Sequence, residues 1–258
     1  APKEYNVVTE EVPCVSEDGL RIWGELYRPE NAKGKLPLAI LTHGFNGDYR
    51  EVIEYAEGLA KKGSAAYIFE FCGGSNHSRS EGKSSDMTIF KESGNVLSVV
   101  EMIKGWDWVD TTRLALLGCS QGGLVAATTT GANPDIFKCQ VLVYPALTIP
   151  ETASRMLPRF DEAQSDSLVF MNLMLGRCYY ESISGFSVFE NMPSYKGSTL
   201  IVYGENDPIT KGNSLERAEE AYGGCEKVMI AEGTHGFPVP EHRAAACVAI
   251  VDFLSKSL

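Results

Sequence analysis

The sequence has no apolar run approaching the roughly 20 residues a helix needs to cross a bilayer. Its longest apolar stretches, such as Leu36–Leu41 and Val141–Val143, have the length of buried strands. It also lacks any Lys/Arg cluster, and 34 acidic against 23 basic side chains give a formal net charge of −11. Nucleic acids and anionic membrane surfaces are both met by basic faces, so neither is expected as a partner. The four His show no H-E-x-x-H spacing. The seven Cys, at 14, 72, 119, 139, 178, 225 and 247, make no C-x-x-C pair and no zinc-spaced cluster with His. No metal and no cofactor is therefore expected. The Cys read as mostly buried free thiols behaving as small hydrophobes, with one or two disulfides as the alternative. No signal peptide is visible. The chain begins at Ala1 without a Met, as a mature secreted form or a trimmed chain would. Secretion is the expectation and a cytoplasmic location the alternative.

What is present is an ordinary globular composition, 44% hydrophobic and 22% charged over 258 residues, enough for one large domain with a real core. Strand-like and helix-like segments alternate, which predicts a mostly parallel sheet of about eight strands covered on both faces. Tyr5–Val15 and Leu20–Tyr27 flank an Asp18-Gly19 turn and predict an antiparallel hairpin at one end of that sheet. Further strands are predicted at Leu36–Thr42, Ala65–Phe71, Arg113–Leu117, Gln140–Tyr144, Thr199–Tyr203 and Glu226–Ala231. A helix over Tyr49–Lys62 would end at Gly63, and Asp86 would cap one over Met87–Lys104. Others are read at Gln121–Thr130, Gly212–Tyr222 and His242–Lys256. The alternation stops between Ala146 and Lys196, a stretch without an obvious strand but rich in Phe, Tyr and Met. Residues 1–145 and 197–258 are thus read as the core, and 146–196 as a lid.

The residues that carry chemistry begin with Gly118-Cys119-Ser120-Gln121-Gly122, a G-x-S-x-G between a strand and a helix. The tight turn demands small neighbours and lifts the Ser hydroxyl out at the carboxyl end of the sheet. The following helix N-terminus favours the negative charge of an oxyanion. A serine nucleophile needs a base, and the base an orienting carboxylate. Asp207 lies just past one strand and His235 just past the last, in the order Ser, Asp, His that this elbow takes on an α/β sheet. Glu205 is the runner-up carboxylate. Thr42-His43-Gly44-Phe45 follows the third strand, and the Phe45 and Gln121 backbone N–H groups are assigned as oxyanion donors. His43 is read as a loop brace, and His77 and His242 as surface residues.

With these residues in place the chain resembles the α/β-hydrolase superfamily over nearly its whole length. More narrowly, it resembles the bacterial and fungal cinnamoyl and feruloyl esterases. The resemblance rests on Leu41-Thr-His-Gly-Phe45-Asn-Gly-Asp48, Phe69-Glu-Phe-Cys-Gly-Gly-Ser75, Gly118-Cys-Ser-Gln-Gly-Gly123, an insertion ending near Phe186-Ser-Val-Phe-Glu190, and the Asp207 and His235 loops. It implies an α/β-hydrolase fold, a small lid over Ser120, and an aromatic-lined slot for a phenylpropenoyl acid. The substrate it implies is a small-molecule ester, such as a feruloylated plant cell-wall saccharide. Two departures stand out. Cys72-Gly73-Gly74-Ser75 replaces an Asn-Gly-His-Gly type loop. Asp161 and Gln164 are the nearest counterparts of lid residues that contact the phenolic hydroxyl in some relatives, although the lid around them does not match. A general short-chain esterase or a peptidase using the same residues is the enzymatic alternative. A non-catalytic binding protein of this fold is the alternative of another class.

Overall fold

The computed structural model describes residues 3–258; Ala1, where the sequence begins, lies outside the described residues. The chain opens with β1 (Val7–Glu11), β2 (Cys14–Val15), β3 (Arg21–Ile22) and β4 (Gly24–Pro29). β1 pairs antiparallel with β4, Val7 opposite Pro29, and β2 pairs with β3. The predicted hairpin is present but split. Pro13 has no N–H to give to a ladder, and beyond it β2 and β3 form a separate ribbon.

β5 (Leu36–Thr42) leads through a 3-10 turn at Tyr49–Glu51 into α1 (Ile53–Lys61), then β6 (Ala65–Phe69) and α2 (Ile89–Lys104). Gly63 follows α1 at φ +101°, a left-handed stop that suits glycine. Asp86 does not cap α2: it sits in a 3-10 turn, Ser84–Asp86. Thr88 is the cap, its hydroxyl accepting from the Lys91 N–H at 3.0 Å. An N-cap side chain reaches the N–H two or three residues on, and Asp86 lies too early to do so. β7 (Val109–Cys119), α3 (Gln121–Ala132) and β8 (Cys139–Val143) follow.

The insertion comes next, with α4 (Ala153–Ala163), β9 (Ser167–Phe170), β10 (Leu173–Gly176), α5 (Arg177–Ile183) and α6 (Val188–Asn191). It does contain strands, against expectation. β9 and β10 form an antiparallel hairpin, Phe170 opposite Leu173. Its two-residue turn is Met171-Asn172, with φ of +47° and +65°. Positive φ at both positions suits the right-handed twist of a hairpin. The signal was hidden because both strands are almost wholly apolar, so no alternation shows, and Met is not a turn residue. The chain ends with β11 (Ser198–Gly204), α7 (Ser214–Tyr222), β12 (Glu226–Ile230) and α8 (Pro240–Ser257).

Among the described residues the main sheet has eight strands in the order β1-β4-β6-β5-β7-β8-β11-β12. β4 alone runs against the others, which are parallel from β6 to β12. This is the α/β-hydrolase architecture. A parallel sheet buries both faces: β6 and β8 are buried at every residue and β5 at all but Pro37. One core joins one face of the sheet to Leu59 of α1 and Ile250 and Leu254 of α8. The other joins the opposite face to Val96 and Val99 of α2 and Leu124 of α3. Phe160, Leu173, Tyr179, Ile183 and Val188 of the insertion belong to that second core. The insertion is therefore continuous with the body rather than a separately folded cap. α3 is buried on every side. All seven Cys are free; Cys14, Cys119 and Cys139 are buried and the other four half-buried. No helix among the described residues is long and apolar enough to cross a membrane, and no group of three potential metal ligands is present among them.

Candidate active site

Ser120 stands between β7 and α3 with φ +54° and ψ −118°, a conformation that costs a non-glycine residue energy. The glycines around it are forced by close approach. A Cβ on Gly118 would lie 2.0 Å from the Gly122 carbonyl, and one on Gly122 would lie 2.4 Å from the His43 carbonyl. The strain is held from outside: the Ser120 N–H donates to the Val143 carbonyl at 2.9 Å, and its own carbonyl accepts from the Ala146 N–H at 3.0 Å. The hydroxyl is thereby presented at the carboxyl edge of the sheet, where open α/β sheets place their ligands.

Two further strand-end loops converge there. Ser120 Oγ lies 2.8 Å from His235 Nε2, and His235 Nδ1 lies 2.7 Å from Asp207 Oδ2. Asp207 is fully buried, and its second oxygen accepts from the Ile209 N–H at 2.8 Å. A carboxylate satisfied on both oxygens cannot swing away from the imidazole. Edge-on packing against Tyr144, with ring centroids 4.8 Å apart, fixes the other side of the His235 ring. Glu205 is turned elsewhere: it accepts from the Glu232 N–H at 2.9 Å and makes no bond to His235.

The loop after β5 lies against Ser120. A Cβ on Gly44 would sit 2.9 Å from Ser120 Cβ. Its backbone donors are shared out. The Gly44 N–H goes to Glu51 Oε2 at 3.0 Å and the Asn46 N–H to the Gly74 carbonyl at 3.1 Å. Among the described residues the Phe45 and Gln121 N–H groups have no partner. His43 is buried and braces this loop. Its Nε2 accepts from the Phe71 N–H at 3.1 Å, so its proton is on Nδ1, which donates to the Gly44 carbonyl at 2.7 Å. His77 is exposed. His242 is not a surface residue in full: it is half-buried, and its Nδ1 is shielded without a partner among the described residues. The α8 helix that carries it packs on α1, a contact the local sequence does not announce.

The Gln121 side chain turns inward. Its Nε2 donates to Glu92 Oε1 at 2.8 Å, and its Oε1 accepts from the Tyr179 hydroxyl at 2.5 Å. This chain ties α2, the start of α3 and α5 of the insertion together. Full burial pushes the Glu92 carboxyl up to about 8, partly offset by the bond from Gln121. Sequence reasoning passed over Glu92. A signal was available, since Glu92 falls on the buried stripe Ile89, Val96, Val99, Val100, Ile103, where a carboxyl needs a partner.

Most aromatic residues of the insertion hold it together. Phe160, Phe170 and Tyr180 meet pairwise with centroids 5.8–6.2 Å apart. Asp161 pairs with Arg177 at 2.6 Å, and Gln164 ends α4 in a left-handed conformation. Val169, Met171 and Met174 face outward, 59%, 81% and 43% exposed. The hairpin turn reaches the loop after β5 through one residue: Asn76 Nδ2 donates to the Asn172 carbonyl at 2.5 Å, and the Asn76 N–H to Asn46 Oδ1 at 2.9 Å.

The family model of the prolyl oligopeptidase family matches residues 90–258. That span holds Ser120, Asp207 and His235 but not Phe45. No curated protein sequence matches the chain. Among solved structures, Est1E from Butyrivibrio proteoclasticus with ferulic acid bound is similar, with 28% identity and a TM-score of 0.83 over 96% of this chain and 98% of that one. A second structure of Est1E gives 26% identity and 0.81 over the same shares. A Pyrococcus furiosus esterase shares the fold at 20% identity and 0.70, over 97% of this chain and 91% of that one.

Proposed function

The chain belongs to the prolyl oligopeptidase family and is an ester hydrolase of the α/β-hydrolase fold, and from that premise we propose that it cleaves hydroxycinnamate esters, feruloyl or p-coumaroyl, through Ser120, His235 and Asp207. The observation that carries the chemistry is the hydrogen-bonded relay, 2.8 Å from Ser120 Oγ to His235 Nε2 and 2.7 Å from His235 Nδ1 to Asp207 Oδ2.

In this reading His235 Nε2 takes the hydroxyl proton as Ser120 Oγ attacks the ester carbonyl carbon. The carbonyl π electrons move to oxygen, and the N–H groups of Phe45 and Gln121 receive that oxyanion. Asp207 steadies the imidazolium, whose proton passes to the departing alcohol as the C–O bond breaks. Water, deprotonated by His235, then attacks the acyl-enzyme and releases the acid. No step calls for a metal or cofactor.

Support for the acyl group comes from the likeness to Est1E, whose structure holds ferulic acid, along nearly the full length of both chains. Residues 146–196 would act as the lid and form the acyl-side slot, with the alcohol side open to a plant cell-wall saccharide. A planar acid would be held by apolar area removed from water and by aromatic packing.

The test uses one alcohol throughout. Methyl ferulate and methyl p-coumarate should show a higher kcat/KM than methyl acetate and methyl butyrate. Equal or greater efficiency on the short acids would remove the hydroxycinnamate reading and leave a general esterase. The family's name makes peptide hydrolysis the second reading, and aminoacyl amides in the same panel address it.

A further inference from the structure

Outside the relay, one more carboxylate touches both sides of the site. Glu51 closes the 3-10 turn before α1. Its Oε2 accepts from the Gly44 N–H at 3.0 Å, and its Oε1 from the Tyr144 hydroxyl at 3.0 Å. The two partners border different parts of the machinery. Gly44 precedes Phe45 and abuts Ser120. Tyr144 follows β8 and packs its ring on His235, with Phe237 on it at 5.0 Å. Tyr144 is itself held in an uncommon backbone conformation, φ +34°, by its N–H bond to the Val202 carbonyl at 2.7 Å. Burial pushes its phenol well above the ordinary range, so the hydroxyl keeps its proton and donates to Glu51.

Two of the four residues of the loop Gly44-Phe45-Asn46-Gly47 are glycines, which have no side chain with which to hold it. An oxyanion donor must stand within a few tenths of an ångström of its working position, and a misplacement of about 1 Å costs on the order of 100-fold in rate. The Phe45 N–H lies between two pinned neighbours. Gly74 holds Asn46 on one side, and Glu51 holds Gly44 on the other. Glu51 also packs tightly under the loop, since a Cβ on Gly47 would meet its Oε2 at 2.8 Å.

We propose that Glu51 is a positioning residue: its two hydrogen bonds set the oxyanion loop and, through Tyr144, the His235 ring in register with Ser120. The inference rests on the reading of Ser120 as nucleophile, but not on the identity of the ester.

Three variants test it. Glu51→Ala removes both bonds. Glu51→Gln can keep both, accepting from Gly44 with Oε1 and donating to the Tyr144 oxygen with Nε2. Tyr144→Phe keeps the ring on His235 and removes one bond. Each is measured for kcat and KM on the best ester, normalised to active sites, and for the second-order rate of Ser120 labelling by a fluorophosphonate. A merely structural bond would lower thermal stability and leave turnover per folded molecule unchanged. Positioning predicts, for Glu51→Ala, a fall of about 10- to 100-fold in kcat and in labelling rate, with KM within about twofold. Tyr144→Phe should fall about 3- to 10-fold, and Glu51→Gln should keep activity within about threefold. Wild-type kcat in folded Glu51→Ala overturns the proposal. So does Glu51→Gln as impaired as Glu51→Ala, because charge rather than hydrogen bonding would then be responsible. If Glu51→Ala does not fold, Tyr144→Phe decides, with wild-type kcat and labelling again the overturning result. Failure of the substrate reading would look different: wild-type enzyme inactive on hydroxycinnamates, with the labelling rates still ordering the variants as stated.

Discussion

At the carboxyl edge of the sheet backbone meets backbone around one residue, whereas the insertion between β8 and β11 is held mainly by side chains, with a backbone approach at Gly176, where a Cβ would lie 2.0 Å from the Ser85 carbonyl. Around Ser120 the approach is so close that a single Cβ on Gly118 or Gly122 would strike a carbonyl at 2.0 or 2.4 Å. Nearly every polar group there has a named partner, and the Phe45 and Gln121 N–H groups are left over among the described residues. In the insertion, Phe160, Phe170 and Tyr180 make a small aromatic core, while Val169, Met171 and Met174 stay in contact with solvent. Backbone contact admits few residue types, so the first region is confined to one arrangement. Side-chain packing tolerates exchange of one apolar residue for another, so the second can change shape at modest cost. On the function proposed above, rate enhancement belongs on the confined region and substrate choice on the adaptable one.

The largest effect should come from cutting the relay at that confined edge. Ser120→Ala and His235→Ala are each expected to lower turnover by about 10⁴-fold or more, and Asp207→Asn by a similar factor, with circular dichroism unchanged. Full fluorophosphonate labelling in Asp207→Asn alongside its loss in Glu205→Gln would move the orienting role to Glu205 and break the comparison at its root.

A smaller effect is expected where the two regions join, at Glu92, Gln121 and Tyr179. A free Glu gives up its proton near ~4.3. In the folded protein Glu92 keeps its proton to about 8. Between those values the folded state binds the extra proton, so this group's contribution to stability falls as pH rises, by about 1.4 kcal/mol per unit, and levels off above the folded value. Glu92→Gln can keep the bond to Gln121 and has no proton to lose. Its stability advantage over wild type, read from urea midpoints, should widen from pH 5 to pH 8. Parallel curves across that range would show that Glu92 is charged when folded.

The smallest effect is expected on the exposed hairpin turn. Met171→Ser should change unfolding free energy by less than about 0.5 kcal/mol, because the side chain packs on little. A loss of 2 kcal/mol or more in a denaturant titration would mean that the turn is structural, and the contrast between the regions would weaken.

Much of the edge was legible beforehand because its requirements are local. A strand, a G-x-S-x-G and a helix define one turn within a few residues, and Ser120 does sit in it at φ +54°. Asp207 and His235 could be placed on the same edge by counting strands, since every strand of the main sheet from β5 onward is parallel and its carboxyl end is therefore shared. The partners of Glu92, Glu51 and Tyr144 were not legible. Each gains its surroundings from another part of the chain, 29 residues away for Glu92 and Gln121 and 93 for Glu51 and Tyr144. The β9–β10 hairpin was missed for a different reason, because an almost wholly apolar strand carries no alternation from which to read it.

By itself the sequence determined the class of fold, the number of strands in the main sheet and the elbow at Ser120, because hydrophobic period and turn chemistry act over a few neighbouring residues. Only the tertiary structure decided that Asp207 rather than Glu205 meets His235, that Gln121 turns its side chain to Glu92 and Tyr179, and that the insertion shares a core with the body. Those outcomes depend on which groups are buried together. A buried polar atom takes whichever partner the packing brings within about 3 Å, and that choice is made by the whole chain at once.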